Sequence, residues 1–174
     1  MEFIEQPMRP PQEARSLLPR AAQGCTYNRC RFCYVSRGYP FMAVTPEQLE
    51  REILSQKSFF PDDTPIYLTG SNPFVLSVEQ LKQYIAILRK HFPNFTRVSM
   101  QGRINDIAGK SSAELKELCS LGLSHLYIGT ENGNDAVLAL MNKGHSASQA
   151  VEQLLRLDEA GITYTTFYIL GMGG

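Results

Sequence analysis

Three cysteines stand close together, as Cys25, Cys30 and Cys33 in the run GCTYNRCRFCY. The N-terminus shows no secretion signal, and in such a chain a cysteine cluster favours metal binding over disulfide formation. Three thiolates on one loop can hold three irons of a 4Fe–4S cluster and leave the fourth iron open to a small molecule. The spacing therefore predicts a metal centre with room for a further ligand.

A zinc ion is the alternative for the same cysteines. Structural zinc takes four ligands, usually in two short pairs, so a histidine would have to complete the set. The sequence places its three histidines at a strand start, at a helix end and just before a helix cap: His125, His91 and His145. The spacing favours an iron–sulfur cluster and leaves zinc open. Cys119 is expected to be a buried apolar residue on a helix.

Short apolar or β-branched runs alternate with amphipathic helical patterns, which predicts βα units and a parallel sheet. Five strands are predicted, over residues 16–22, 66–69, 97–101, 125–129 and 163–170. Four helices are predicted to begin at a capping box, a hydroxyl residue followed three positions later by Glu or Gln. These pairs are Thr45 with Gln48, Ser77 with Gln80, Ser111 with Glu114, and Ser146 with Gln149. Two helices are predicted to end at Gly122 and Gly161.

The carboxyl ends of parallel strands share one edge, where open α/β sheets and barrels build their sites. The cysteine cluster follows the first predicted strand, so we expect it on this edge. A full (β/α) barrel has eight strands and roughly 250 residues. Five strands in 174 residues predict an α/β fold, a partial (β/α) barrel truncated after about the fifth strand. A partner chain or a further C-terminal segment is expected to cover the open edge of the sheet.

Composition narrows the classes of function. Hydrophobic residues make up 43% and charged residues 20%, as in an ordinary globular protein. Lys+Arg and Asp+Glu are equal at 17 each, so nucleic acid is not an expected partner. No apolar run approaches the roughly 18 residues of a membrane span, and a cytoplasmic location is expected. Residues 1–15 are predicted to be a loose polar lead-in, and residues 16–174 to be the core domain.

Further motifs accompany the cysteines: LYIGTENG over residues 126–133, MNKG over 141–144 and GMGG over 171–174. With the aromatic Phe32 before the last cysteine, this pattern resembles the radical S-adenosylmethionine (SAM) superfamily. The branch in question contains the methylthiotransferases, coproporphyrinogen dehydrogenase and the Elongator catalytic subunit. The resemblance runs from about Ser16 to the C-terminus. The family usually has three residues between the first two cysteines and this chain has four, so the resemblance extends to no single named subfamily.

The resemblance implies a radical SAM enzyme core. SAM would chelate the open iron, and a reduced 4Fe–4S cluster would pass one electron to the sulfonium. The products would be methionine and a 5′-deoxyadenosyl radical that abstracts hydrogen from a substrate the sequence does not identify. An electron donor such as flavodoxin or ferredoxin is implied as a partner. The sequence contains no second cysteine cluster, which disfavours sulfur insertion.

The resemblance also places individual residues against SAM. Phe32 would lie beside the adenine, Glu131 near the ribose or the methionyl portion, and Arg103 near the carboxylate. The loop after the second strand would meet the amino group through Gly70, Ser71 and Asn72, although it lacks the family's usual acidic or second-glycine character. Each residue also has a purely structural interpretation, as a packing, turn or solvated residue. Lys143 is expected to pack or cap a short helix over residues 135–142, and Tyr164, Phe167 and Tyr168 to be core residues.

Two other classes of protein remain as alternatives. One is a non-catalytic metal-binding protein, holding zinc or an iron–sulfur cluster, or a degenerate radical SAM relative. The unusual Gly70-Ser71-Asn72 loop keeps this interpretation open. The other is a metal-free aldolase-like barrel, for which the sequence offers no lysine at the carboxyl end of a strand to form a Schiff base.

Overall fold

The computed structural model describes residues 8–173, and its strands form one parallel sheet and one small ribbon. The strands are β1 (Ala22–Gln23), β2 (Met42–Ala43), β3 (Ile66–Leu68), β4 (Val98–Gly102), β5 (Leu123–Glu131) and β6 (Thr163–Tyr168). The sheet has the order β3-β4-β5-β6 and every pair in it is parallel. The ribbon pairs β1 with β2 antiparallel. The α/β partial barrel predicted from the sequence is confirmed.

Six α-helices lie between the strands of the described residues: α1 (Pro46–Gln56), α2 (Val78–His91), α3 (Ile104–Ala108), α4 (Ser112–Leu121), α5 (Asp135–Leu140) and α6 (Ala147–Ala160). The four predicted capping boxes are all present, at the starts of α1, α2, α4 and α6, with both hydrogen bonds formed in each. The predicted ends at Gly122 and Gly161 are also observed. Within residues 8–173, no helix combines the length and apolar character needed to cross a bilayer.

The two faces of the sheet differ in chemistry because alternate residues of a strand point to opposite sides. Ile66, Met100 and Leu126 belong to the hydrophobic core, together with apolar residues of the helices. The intervening residues on the other face are polar or aromatic, and they include Tyr67, Ser99, Gln101 and Tyr127. The helices thus cover one face, and the second face forms the inner wall of the partial barrel.

The first predicted strand, over residues 16–22, is not a regular strand. This segment runs parallel to β3 but pairs with it only through the isolated bridges Leu17–Ile66 and Arg20–Thr69. Pro19 explains the interruption, because proline has no N–H to donate to the ladder. On the side of β3, the Tyr67 N–H still donates to the Leu17 carbonyl and the Thr69 N–H to the Pro19 carbonyl. It therefore carries the chain into β1 and the cysteine loop beside the sheet.

Residues 8–15 are better anchored than their polar composition suggests, and residues 1–7 of the predicted lead-in lie outside the described residues. The Glu13 side chain is fully buried and accepts hydrogen bonds from Ser99 at 2.8 Å and Tyr127 at 2.7 Å. Ser16 and the Arg97 guanidinium also donate to it. Burial alone would raise the pKa of Glu13, but these four donors hold it below its ordinary value. Glu13 thus occupies the inner wall of the barrel as a satisfied carboxylate.

β6 forms an edge of the four-stranded sheet. Phe167 and Tyr168 are 37% and 57% exposed, so the prediction that they are core residues is wrong. Tyr164 is half-buried and packs against the core. A strand paired on only one side leaves the side chains near its end accessible, whatever their hydrophobicity.

Candidate functional site

The cysteine loop, residues 24–34, begins directly after β1, and the chain returns to pair with β1 through β2. The β1–β2 ribbon closes its base by pairing Gln23 with Met42. Cys25, Cys30 and Cys33 are half-buried free thiols, and all three line one cavity. That cavity opens at the carboxyl edge of the parallel strands, which is where the sequence places the loop.

The other walls of this cavity come from the ends of β4 and β5 and from the segment after α5. Arg103 follows β4, Glu131 ends β5, and Lys143 follows α5, and all three line the cavity with Phe32 of the cysteine loop. Four parts of the chain that are distant in sequence therefore converge on one space. This convergence results from the parallel order of the strands.

Two of the three charged side chains around the cavity form an ion pair, and the third stacks on an aromatic ring. Lys143 Nζ lies 2.9 Å from Glu131 Oε1, with the two side chains only 7% and 10% exposed. The same amine lies 5.7 Å from the centre of the Phe32 ring. The Arg103 guanidinium stacks over the ring of Tyr27 at 4.1 Å. Two cations and one carboxylate thus surround the half-buried thiols.

The pKa of Cys30 responds to both burial and charge. Burial raises the pKa of the Cys30 thiol, while the positive charges of Lys143 and Arg103 act against that rise. A cysteine binds metal as a thiolate, and nearby cations favour this form. The surroundings of Cys30 therefore combine partial burial with compensation of negative charge.

The side chains around the cavity differ in how well they suit zinc and an iron–sulfur cluster. Across residues 8–173, no three His, Cys, Asp or Glu side chains are grouped so that they could hold one metal ion. A cubane cluster makes a different demand, because each thiolate meets a separate iron. Two of the histidines considered for zinc are engaged elsewhere, His91 with Glu50 and His125 with Thr163 and Thr165. Three thiols around one cavity fit a cluster better than a single zinc ion.

A sequence model described as the radical SAM superfamily matches residues 21–174, most of the chain. The chain belongs to the radical SAM superfamily. No curated protein matches the sequence significantly.

Solved structures of radical SAM proteins share the fold of this core. The cobalamin-dependent enzyme OxsB, with aqua-cobalamin and SAM bound, superposes with a TM-score of 0.73 at 18% identity over 89% of this chain and 24% of its own. Coproporphyrinogen III oxidase (HemN) from Escherichia coli gives a TM-score of 0.65 at 20% identity, over 91% of this chain and 38% of its own. Archaeal Elp3 from Methanocaldococcus infernus gives 0.57 at 15% identity, over 92% and 40%. This radical SAM core thus spans less than half the length of each of these proteins.

Of the residues predicted to contact SAM, Phe32, Ser71, Arg103 and Glu131 line the cavity of this radical SAM core together with the three cysteines. Gly70 and Asn72 are not among its lining residues. Gly70 has φ +144° and lies so close to the ribbon that a Cβ there would stand 2.7 Å from the Ala22 carbonyl oxygen. Its place in the structure is therefore a close approach between backbones.

Asn72 is fully buried behind the cysteine loop. Its Oδ1 accepts from the Thr26 N–H at 3.3 Å, and its Nδ2 donates to Thr26 Oγ1 at 3.0 Å. Nδ2 also lies 3.3 Å from Asp106 Oδ2. Asn72 thus fixes the residue that follows Cys25, so it acts on the loop and not on the cavity.

Lys143 and Tyr127 line the cavity, yet the sequence did not single them out as site residues. Lys143 is predicted to pack or cap a helix. Its position in a turn gives no periodicity that would indicate which way its side chain points. Tyr127 lies in a mostly apolar strand, where an aromatic residue gives no sign of a functional role. The alternation of β5 could have identified Tyr127, since its neighbours Leu126 and Ile128 face the core.

Proposed function

We propose that this chain is a radical SAM enzyme core that binds a 4Fe–4S cluster through Cys25, Cys30 and Cys33 and binds SAM in the adjoining cavity. The observation that carries the proposal is that the three thiols line one cavity with Arg103, Glu131 and Lys143. Cys25, Cys30 and Cys33 would hold the cluster, which when bound and reduced would supply the one electron needed to cleave SAM to methionine and a 5′-deoxyadenosyl radical for hydrogen abstraction from a substrate.

The charged side chains are suited to hold the amino-acid end of SAM. The Arg103 guanidinium is held flat by Tyr27 and can present its donors to a carboxylate. Glu131 accepts from Lys143 through Oε1, which leaves Oε2 to accept from an ammonium or a ribose hydroxyl. Phe32 offers an apolar ring on the same wall, against which an adenine can stack.

Exclusion of water is the second contribution of the chain. Lys143 and Glu131 line the cavity and are each about nine-tenths buried, so little water reaches these two side chains. A desolvated site strengthens the electrostatic interactions within it and shields a reactive radical from side reactions. The sulfonium of SAM would then lie near fixed charges instead of mobile water.

The electron donor that we propose is an acidic one-electron carrier of the flavodoxin or ferredoxin type. Residues 24–46 contain three arginines and no acidic residue, although the whole chain has no net charge. Arg29, Arg31 and Arg37 are exposed, and so is Tyr34 beside Cys33. Within residues 8–173 none of these arginines takes part in an ion pair. A positive surface directly over the cysteines is complementary to an acidic donor.

The test is anaerobic reconstitution with iron and sulfide, followed by addition of dithionite and SAM. We expect a 4Fe–4S absorption and paramagnetic signal, a change in that signal on addition of SAM, and release of 5′-deoxyadenosine. Cys30→Ala should abolish the release. Cys119→Ala is the matched control, because Cys119 lies on α4, where it is half-buried against the core and donates to the Gly161 carbonyl, and it does not line the cavity.

Each alternative has its own outcome in the same experiment. A colourless protein that binds zinc through the three cysteines would exclude the proposal. A cubane whose signal does not change with SAM would indicate a non-catalytic iron–sulfur protein or a degenerate relative.

A further inference from the structure

The turn formed by residues 141–144 is hydrogen-bonded to the middle of the cysteine loop. The Arg31 N–H donates to the Met141 carbonyl at 2.9 Å. The Tyr27 hydroxyl lies 2.8 Å from the Asn142 carbonyl and 3.0 Å from its Oδ1. In return, Asn142 Nδ2 donates to the Arg29 carbonyl at 3.1 Å. These contacts join residues more than 100 positions apart and include both sides of Cys30.

The backbone of this turn is shaped to receive the Tyr27 ring. Asn142 has φ +50°, which is uncommon outside glycine, and Gly144 has φ +85°. A Cβ on Gly144 would stand 2.9 Å from the ring and hydroxyl atoms of Tyr27. The backbone thus has a positive φ on both sides of Lys143, at Asn142 and at Gly144, where the turn meets the loop.

The same turn also reaches into the cavity. Its Lys143 side chain makes the buried ion pair with Glu131, and its Lys143 carbonyl accepts from the Arg103 guanidinium at 3.4 Å. Arg103 in turn stacks on Tyr27. One short segment therefore contacts the loop on its outer side and both Glu131 and Arg103 on its inner side.

We propose that residues 141–144 are the positioning element of the cysteine loop, fixing Cys30 relative to Arg103 and Lys143. That the loop holds a cluster rests on the proposed function, whereas the positioning itself does not. Other contacts lie on either side of the loop's centre: Asn72 holds Thr26, and Asn28 donates to the Ser36 carbonyl at 2.9 Å. The exposed Arg37 guanidinium donates to the Arg31 carbonyl at 3.0 Å, but Arg37 is only six residues further along the same segment. The turn joins the stretch around Cys30 to a distant part of the chain.

The physical reason is the entropy of the loop. Fixing the conformation of a backbone residue costs conformational entropy. In a loop that is disordered without metal, that cost would reduce the free energy of metal binding. A turn that orders the loop beforehand transfers this cost to folding and so strengthens metal binding. The turn accordingly acts through the loop, not on the cofactor.

The first test uses hydrogen exchange in the reduced, metal-free protein, so it does not depend on cluster binding. Gly144→Ala and Tyr27→Phe should speed amide exchange in the peptide that contains Arg31 by about three- to tenfold, the factor expected for loss of one ordinary hydrogen bond. Gly38→Ala is the matched control, because Gly38 has φ +84° and a Cβ there would meet nothing within 4 Å. A peptide from β5 should exchange at the wild-type rate in every variant that folds.

The second test uses the reconstituted protein and a chelator. Tyr27→Phe keeps the ring under Arg103 but loses the hydroxyl bonds, so iron should be released about three- to tenfold faster than from the wild type. The SAM-induced change in the cluster signal should also be altered, a readout that a general loss of stability would not move.

Unchanged exchange around Arg31 in Tyr27→Phe would overturn the inference, as would an equal increase in Gly38→Ala. Failure of the wild type to bind a cluster would overturn the proposed function and leave the exchange comparison to decide the role of the turn.

Discussion

At the level of single residues, the buried pair of Lys143 and Glu131 decides how charge is held in the cavity. Removing one member leaves the other charge desolvated and unpaired, which costs more than the pair itself contributes. We expect Lys143→Met to lower the free energy of unfolding of the metal-free protein by about 3 kcal/mol, measured by urea denaturation. Adding Glu131→Gln should restore part of that loss, because it removes the stranded carboxylate.

The double variant supplies the control for this prediction. If the two residues interact as the 2.9 Å distance indicates, the effects of the single substitutions will not add. Additive effects would mean that the pair does not form in solution.

Glu13 gives a second prediction, on the dependence of stability on pH. Because hydrogen bonds from Ser16, Tyr127, Ser99 and Arg97 outweigh burial, the pKa of Glu13 is below its ordinary value of 4.5. Its contribution to stability is therefore present above that value and is lost as the pH falls through the folded-state pKa. Glu13→Gln should lower the free energy of unfolding at pH 7 by about 2 kcal/mol and flatten its fall in acid.

Glu159→Gln makes the same change of charge on an exposed helical residue and should alter the free energy of unfolding by less than about 0.5 kcal/mol. Equal acid profiles for wild type and Glu13→Gln would contradict the network.

The cysteines could be identified from the sequence and Glu13 and Lys143 could not, because only the cysteines form a local motif. The cysteines form a local motif whose spacing already carries their chemistry. Glu13 and Lys143 gain their surroundings from Tyr127 and Glu131, which lie on β5. No local pattern reports such a contact, so polar residues in a short lead-in and in a turn read as solvated.

At the level of elements, the close approach between the end of β3 and the ribbon fixes the entry to the cysteine loop. Gly70→Ala would bring a Cβ within 2.7 Å of the Ala22 carbonyl oxygen at φ +144°. We expect a loss of about 1–3 kcal/mol in the free energy of unfolding, measured by chemical denaturation. Gly133→Ala, where a Cβ meets nothing within 4 Å, should lose far less. Similar losses in both variants would exclude this contact as the cause.

The elements also show which structural signals are local. The starts of α1, α2, α4 and α6 could be predicted from capping boxes, because a capping box is complete within four residues. The segment over 16–22 could not be assigned correctly, because its irregularity depends on how Pro19 lies against β3. The β1–β2 ribbon escaped prediction because it contains only two residues on each side.

At the level of the whole molecule, charge is balanced overall and unbalanced locally. The exposed arginines of residues 24–46 create a positive surface over the cysteines in a chain of zero net charge. An alternative role for them is to offset the negative charge that three thiolates bring to a cluster. The two roles differ in what they change. Docking affects only the rate of reduction by a protein donor, whereas charge compensation shifts the reduction potential of the cluster and so affects its reduction by every reductant.

Replacing Arg29 and Arg31 by glutamine separates these roles. If the surface docks an acidic donor, reduction of the cluster by a flavodoxin should slow by about tenfold at low ionic strength, and the difference should shrink as salt is added. Reduction by a small neutral reductant such as a photoreduced deazaflavin should keep its wild-type rate. Lys116→Gln, on the exposed face of α4, removes a positive charge away from the cysteine loop and should leave both rates unchanged. A lower reduction potential with equal slowing for both reductants would assign the arginines to the cluster itself, because a surface that only recruits a partner cannot affect electron transfer from a molecule it does not bind.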